Sequence, residues 1–175
     1  MRTILIIGAG RSASSLIQYL LNKSVQENLH LIIGDLSLAL AQKKTNNHPN
    51  ATPIALNIFD ENQRKTAIQK ADIVISMLPA HLHIEVAKDC ILYKKHLVTA
   101  SYISDAMQEL NEEAKANNLI FMNEIGLDPG VDHMSAMKAI DEIRGQGGKI
   151  LLFESFCGGL VAPESYDNLW NYKCT

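Results

Sequence analysis

The sequence predicts an α/β protein built on a doubly wound parallel sheet, followed by the start of a second, α+β unit. Three observations predict it. Apolar runs alternate with amphipathic stretches six times in about the first 125 residues. A glycine turn joins the first run to the first amphipathic stretch. The rhythm changes after "NEIGLDPG". Such alternation makes strands parallel, because each parallel pair needs a crossover, and the crossovers lay helices on both faces.

The first strand is "TILIIG", Thr3 to Gly8, a short apolar run ending in glycine. From Ser12 a helix follows, with Ala13, Leu16, Ile17, Leu20 and Leu21 at helical spacing. "LHLIIGD" (Leu29 to Asp35) is the second strand, and "SLALAQKK" opens a helix with Ser37 placed to cap it. "TPIALNI" (Thr52 to Ile58) is the third strand and "ENQRKTAIQK" a short helix. "ADIVISML" (Ala71 to Leu78) is the fourth, stopped by Pro79, before a helix with Leu82, Val86 and Cys90 four apart. "HLVTAS" (His96 to Ser101) is the fifth, and Ile103, Met107, Leu110 and Ala114 trace one helical face. "NLIFMNE" (Asn118 to Glu124) is the sixth. Beyond it a helix is predicted over Val131 to Arg144, with Met134, Met137, Ile140 and Ile143 as its core stripe, then a strand over Lys149 to Cys157. The boundary divides residues 1–125 from residues 126–175, and the second unit reads as incomplete.

Composition narrows the function classes. Of 175 residues 47% are hydrophobic and 20% charged, which suits an ordered core rather than disorder. The net charge of −3 gives no basic footprint for nucleic acid. No run approaches the length of a membrane helix. Three cysteines, an odd number without CxxC, argue against disulfides and zinc. His81 and His83, two apart, do not converge on a metal, and His133 follows Asp132 at a helix start, so no metal is expected. These features describe a cytoplasmic protein whose partner is a small molecule.

"GAGRSA", Gly8 to Ala13, reads GxGxxA between first strand and first helix. Gly8 allows the tight turn, Gly10 lets a pyrophosphate approach the backbone, and Ala13 stays small for packing. The helix start, with Arg11 and Ser12, offers free N–H groups and a positive dipole end. This is the fingerprint of a Rossmann-type dinucleotide domain. Asp35 closes the second strand, where a carboxylate accepts from ribose hydroxyls. A 2′-phosphate there would meet like charge, about 4 kcal/mol at about 4 Å in an effective dielectric of about 20. NAD is therefore expected in preference to NADP. Arg11 is either an adenine or 2′-phosphate contact or a solvated side chain. Asn57, Ile58, Leu78, Pro79 and Ser101 lie at carboxyl strand ends, where such a cofactor runs. Leu127 joins them from the loop after the sixth strand.

That loop, "GLDPG", supports two readings. Asp128 suits a helix N-cap, with Pro129 at the first helical position and Asp132 against the dipole. Alternatively Asp128 faces a ligand, since the loop shares its sheet edge with the glycine turn and joins two units.

The blocks "SYISDAMQELNEEAK", "MNEIGLDPGVDHMSAMKAI" and "SFCGGLVAPESYDNLWNYK" resemble the glutamate-forming saccharopine dehydrogenase family. The resemblance covers the whole chain but only the beginning of the family's longer one. It implies oxidation of the secondary amine of saccharopine by a nicotinamide cofactor, giving glutamate and 2-aminoadipate 6-semialdehyde, or the reverse, in lysine metabolism. It implies a homodimer formed through the larger second domain, and an incomplete chain without turnover of its own. It implies Ser101 and Tyr102 in "SY" and Asp128 in "GLDPG" at the substrate, with Tyr102, Asp128 and Cys157 of "CGG" as catalytic candidates. Without it, Tyr102 reads equally as a packed strand-end aromatic and Cys157 as a small core residue. Some relatives carry a basic residue near Asp35 and use NADP. Dehydrogenation of another secondary amine, such as carboxynorspermidine, and a non-catalytic NAD-sensing module are the alternatives.

Overall fold

The computed structural model describes residues 1–156. The chain divides into two compact units, the first being Met1–Gly130; the sequence places the boundary at residue 125. The first unit holds six strands: β1 (Arg2–Ile7), β2 (Leu29–Asp35), β3 (Ala51–Ala55), β4 (Ile73–Ser76), β5 (His96–Thr99) and β6 (Phe121–Met122). All pair in parallel, in the order β3-β2-β1-β4-β5-β6. The order reverses beside β1, where the chain steps from β3 across to β4. Ligands of doubly wound sheets lie at the carboxyl strand ends of that switch point.

The crossovers are α1 (Ser14–Lys23), α2 (Leu38–Thr45), α3 (Glu61–Gln69), α4 (His83–Leu92) and the pair α5 (Asp105–Glu109) and α6 (Asn111–Ala116). Alternate strand residues face opposite sides, so the consecutive apolar residues of β1 feed two cores. Ile4 and Ile6 join Leu31 and Ile33 under Ile17 and Leu21 of α1 and Ala41 of α2. Leu5 and Ile7 join Val74 and Leu97 under Ile68 of α3, Val86 and Cys90 of α4 and Met107 of α5. Full burial of each large aliphatic side chain contributes about 1.5–3 kcal/mol.

Ser37 caps α2 as the sequence predicts, and Asp60, which the sequence reading did not single out, caps α3. Ser37 Oγ accepts from the Leu40 amide at 3.4 Å and Asp60 Oδ1 from the Gln63 amide at 3.0 Å. Buried Arg64 ties α3 to α4, donating to Asp89 Oδ2 at 2.6 Å and to the Ile58 carbonyl at 2.7 Å.

Several ends differ from the sequence reading. β3 stops at Ala55 and β4 spans only Ile73–Ser76, since strands end where pairing ends. β6 is two residues long because it pairs on one side only, through Leu97 with Phe121 and Val98 with Met122. The helix expected from Ile103 divides at Leu110 into α5 and α6.

The second unit opens with α7 (Val131–Gly145). Residues 149–156 form no strand, against the expected Lys149 to Cys157 strand, whose last residue lies outside the described residues. Its stripe is no core among the described residues: Met134, Met137 and Ile143 are exposed. A helix hides an apolar face only against another element, and the described part of this unit offers no second helix or strand. No helix among the described residues is long and apolar enough to cross a membrane.

Candidate active site

The glycine turn begins where β1 ends. Gly8 sits at φ +105° and donates its N–H to the Gly34 carbonyl at 2.7 Å. A Cβ there would stand 3.0 Å from the Met77 carbonyl oxygen, whereas one on Gly10 would meet nothing within 4 Å. The backbone at Gly10 is thus open to close approach. Ala13 is fully buried, and α1 starts at Ser14 rather than Ser12, with no side chain capping it. Uncapped N–H groups beside an open glycine suit a pyrophosphate. Arg11 and Ser12 are exposed on this turn.

Asp35 does more than close β2. Its Oδ2 accepts from the Ala9 amide at 2.8 Å, and its Oδ1 accepts from the Ser37 amide at 2.9 Å. The carboxylate therefore ties the glycine turn to the start of α2.

Two cavities flank the turn. One of about 150 Å³ is lined by Gly8, Asp35, Leu36, Asn57, Phe59 and Leu78, with Ile58 also in its wall. Leu36 and Phe59 are apolar yet 77% and 76% exposed, at the rim where an adenine would lie. Sequence reasoning missed both; the available signal was an apolar residue directly after each of the two predicted strand ends, Asp35 and Ile58. Asn57 is held by the Phe59 amide and the Gln63 side chain. The other cavity, about 380 Å³, lies between α1 and the ends of β4 and β5, walled by Ser12, Leu16, Met77, Thr99, Ala100 and Leu127. Pro79 follows β4 and precedes a short 3-10 turn at Ala80–Leu82, outside both linings.

Ser101 and Tyr102 follow β5. Tyr102 Oη donates to Asp128 Oδ1 at 2.6 Å. The Asp128 loop is closed by the Gly126 amide donating to the Pro129 carbonyl at 2.8 Å. It is stitched to the end of β5 by the Ile125 amide on the Thr99 carbonyl and the Glu124 amide on the Ser101 carbonyl, each 3.1 Å. Glu124 Oε1 also accepts from the Ile103 amide. The N-cap reading of Asp128 is corrected: α7 begins at Val131, so the preceding residue is Gly130. Pro129 likewise precedes the helix. Cys157 lies outside the described residues.

From the sequence, His83 has no role beyond not converging with His81 on a metal. It is buried at the start of α4, with Nδ1 2.9 Å from Ser76 Oγ and Nε2 2.9 Å from Ser101 Oγ. Burial pushes its pKa below the ordinary imidazole value, and the charge of His81 adds to the effect.

Residues 4–122 match the family model described as "Saccharopine dehydrogenase NADP binding domain". The chain belongs to the saccharopine dehydrogenase family. Residues 126–175 match that family's C-terminal domain. The saccharopine dehydrogenase [NADP(+), L-glutamate-forming] of Pyricularia oryzae is 40% identical over 172 residues, which are 98% of this chain and 37% of that protein. The alpha-aminoadipic semialdehyde synthase of Arabidopsis thaliana is 40% identical over 146 residues, 83% of this chain and 14% of that protein. The apo saccharopine dehydrogenase (L-Glu forming) structure from Saccharomyces cerevisiae superposes with a TM-score of 0.81 at 38% identity, covering 100% of this chain and 38% of that one. This saccharopine dehydrogenase family chain thus spans 37–38% of the length of the glutamate-forming relatives. The findings support a nicotinamide cofactor and point to NADP, against the preference read from Asp35.

Proposed function

We propose that this chain supplies the nucleotide-binding part of an oxidoreductase acting on the secondary amine of saccharopine. The products are L-glutamate and 2-aminoadipate 6-semialdehyde, or the reaction runs as the reverse condensation. The observation that carries the reading is the Tyr102 to Asp128 hydrogen bond, 2.6 Å long, beyond the carboxyl ends of β5 and β6. It puts a carboxylate, oriented by a phenol, at the sheet edge that also bears the glycine turn.

A bound nicotinamide dinucleotide supplies the hydride acceptor. The glycine turn and the start of α1 would hold its pyrophosphate, and the cavity of about 380 Å³ would offer its ring an apolar wall. Asp128 attracts the secondary ammonium and takes its proton, freeing the nitrogen lone pair to form C=N as hydride leaves the adjacent carbon. Tyr102 fixes the orientation of that carboxylate. Water then adds to the iminium carbon and loses one proton to solvent, giving the carbinolamine. Asp128 returns its proton to the glutamate nitrogen as the C–N bond breaks, and takes up the carbinol O–H proton as the aldehyde forms.

The working cofactor in this reading is NADP(H). The relatives' names support it, and so does the engagement of Asp35: two amide donors offset its charge, and exposed Arg11 stands on the same turn. Parallel titrations of the chain with NADPH and NADH test the choice, with NADPH expected to bind more tightly. Tighter NADH would restore the preference read from the carboxylate.

The test of the reaction is saccharopine-dependent reduction of NADP, followed by near-ultraviolet absorbance. It uses protein of the relatives' full length carrying this sequence. Asp128→Asn is expected to lower turnover by about 10²–10⁴-fold with an unchanged melting temperature. Activity on carboxynorspermidine alone would move the substrate; nucleotide binding without any redox activity would leave a sensing module.

A further inference from the structure

Ser76, His83 and Ser101 form a chain of hydrogen bonds that crosses from inside the sheet to its ligand-bearing edge. Ser76 is the last residue of β4 and 0% exposed. His83 is 4% exposed. Ser101, after β5, is only half-buried. This gradient in burial decides which way the protons point.

Oxygens with a lone pair unused are tolerated in protein interiors more often than buried X–H groups without an acceptor, whose loss costs the desolvation of the donor. Among the described residues the Ser76 hydroxyl pairs with His83 Nδ1, at 2.9 Å. Ser76 therefore donates to Nδ1. A neutral imidazole carries one proton, so it resides on Nε2. Nε2–H then donates to Ser101 Oγ at 2.9 Å. Ser101, already accepting from inside, is left with its own O–H to donate outward.

We propose that His83 is a positioning residue that, held by Ser76 in the Nε2–H form, turns the Ser101 hydroxyl into a hydrogen-bond donor toward the ligand. A donor at that point selects an anionic oxygen, such as a substrate carboxylate, and disfavours an ammonium. The depressed basicity of His83 agrees with a ring that stays neutral. The ligand half of the proposal rests on the substrate reading given above, whereas the proton arrangement does not.

Two measurements test it separately. In the 175-residue chain labelled with ¹⁵N-histidine, long-range ¹H–¹⁵N spectra distinguish a protonated ring nitrogen from an accepting one. At pH 7.5 His83 is expected as the Nε2–H form; Ser76→Ala should mix the two forms, while Ser101→Ala should leave the form unchanged. A predominant Nδ1–H form, or an imidazolium, in the unaltered chain would overturn the proposal. In the full-length enzyme, His83→Asn should raise the KM for saccharopine about tenfold, with kcat within about twofold, the scale of a lost hydrogen bond to a charged group. His83→Gln, whose longer amide reaches the Nε2 position, should recover most of that loss. Equal KM values for the folded Asn and Gln variants and the parent would overturn the donor role. If the parent itself fails to oxidise saccharopine, the substrate reading fails, and the spectra alone decide the state of His83.

Discussion

A methyl group at Gly8 would press on the Met77 carbonyl oxygen at 3.0 Å, on a backbone already at φ +105°. The same methyl at Gly10 would stand in open space. Gly8→Ala is thus expected to destabilise the chain by about 1–3 kcal/mol in a denaturant melt. Gly10→Ala should leave the melt within about 1 kcal/mol yet weaken nucleotide binding at least tenfold in a titration, because it blocks close approach of a pyrophosphate. An unchanged Kd for Gly10→Ala would remove that residue from the cofactor site. Roles such as these were legible in the sequence, since the turn is set by residues adjacent in the chain. His83 was not: its partners lie 7 and 18 residues away and meet it only once β4 and β5 are paired. Asp35 was legible as an acid at the end of β2, but not as the acceptor of an amide 26 residues earlier.

Elements were legible at their centres and less so at their ends. The β2 span, Leu29–Asp35, was read to the residue because strands on both sides pair with it. The expected strand over Lys149 to Cys157 has the right local composition, yet composition does not provide a partner. The Arg64–Asp89 pair belongs to this scale, since it joins α3, α4 and the loop after β3 in one contact. Removing one side leaves a buried charge, so Asp89→Ala is expected to cost about 3–5 kcal/mol. A denaturant melt reads that cost, and a loss below about 1 kcal/mol would mean that Arg64 finds another acceptor. The start of α4 carries a pH dependence. His83 has a folded pKa below the ordinary value of about 6.5, so folding favours the neutral ring. Its contribution to stability is complete above about pH 6.5 and declines as pH falls toward the lower folded value. Melting temperatures of the parent and His83→Gln should accordingly converge on acidification from pH 7.5, and parallel curves would contradict the neutral assignment.

At the scale of the molecule, the strand order brings the turn after β1, the ends of β4 and β5 and the loop after β6 to one edge. The backbone bonds from Glu124 and Ile125 to Ser101 and Thr99 make two of those loops a single piece. The glycine turn and the Tyr102–Asp128 pair therefore lie within one unit. The double grip of Asp35 on the Ala9 and Ser37 amides has a practical consequence for redesign. Swapping coenzyme preference by exchanging the acid after the second strand assumes that the acid serves the coenzyme alone. Here the exchange would also slacken the turn that every dinucleotide uses, so selection for a new preference would pull against affinity. Recoding this chain is better aimed at Leu36 and Arg11, which border the same ground without holding it up.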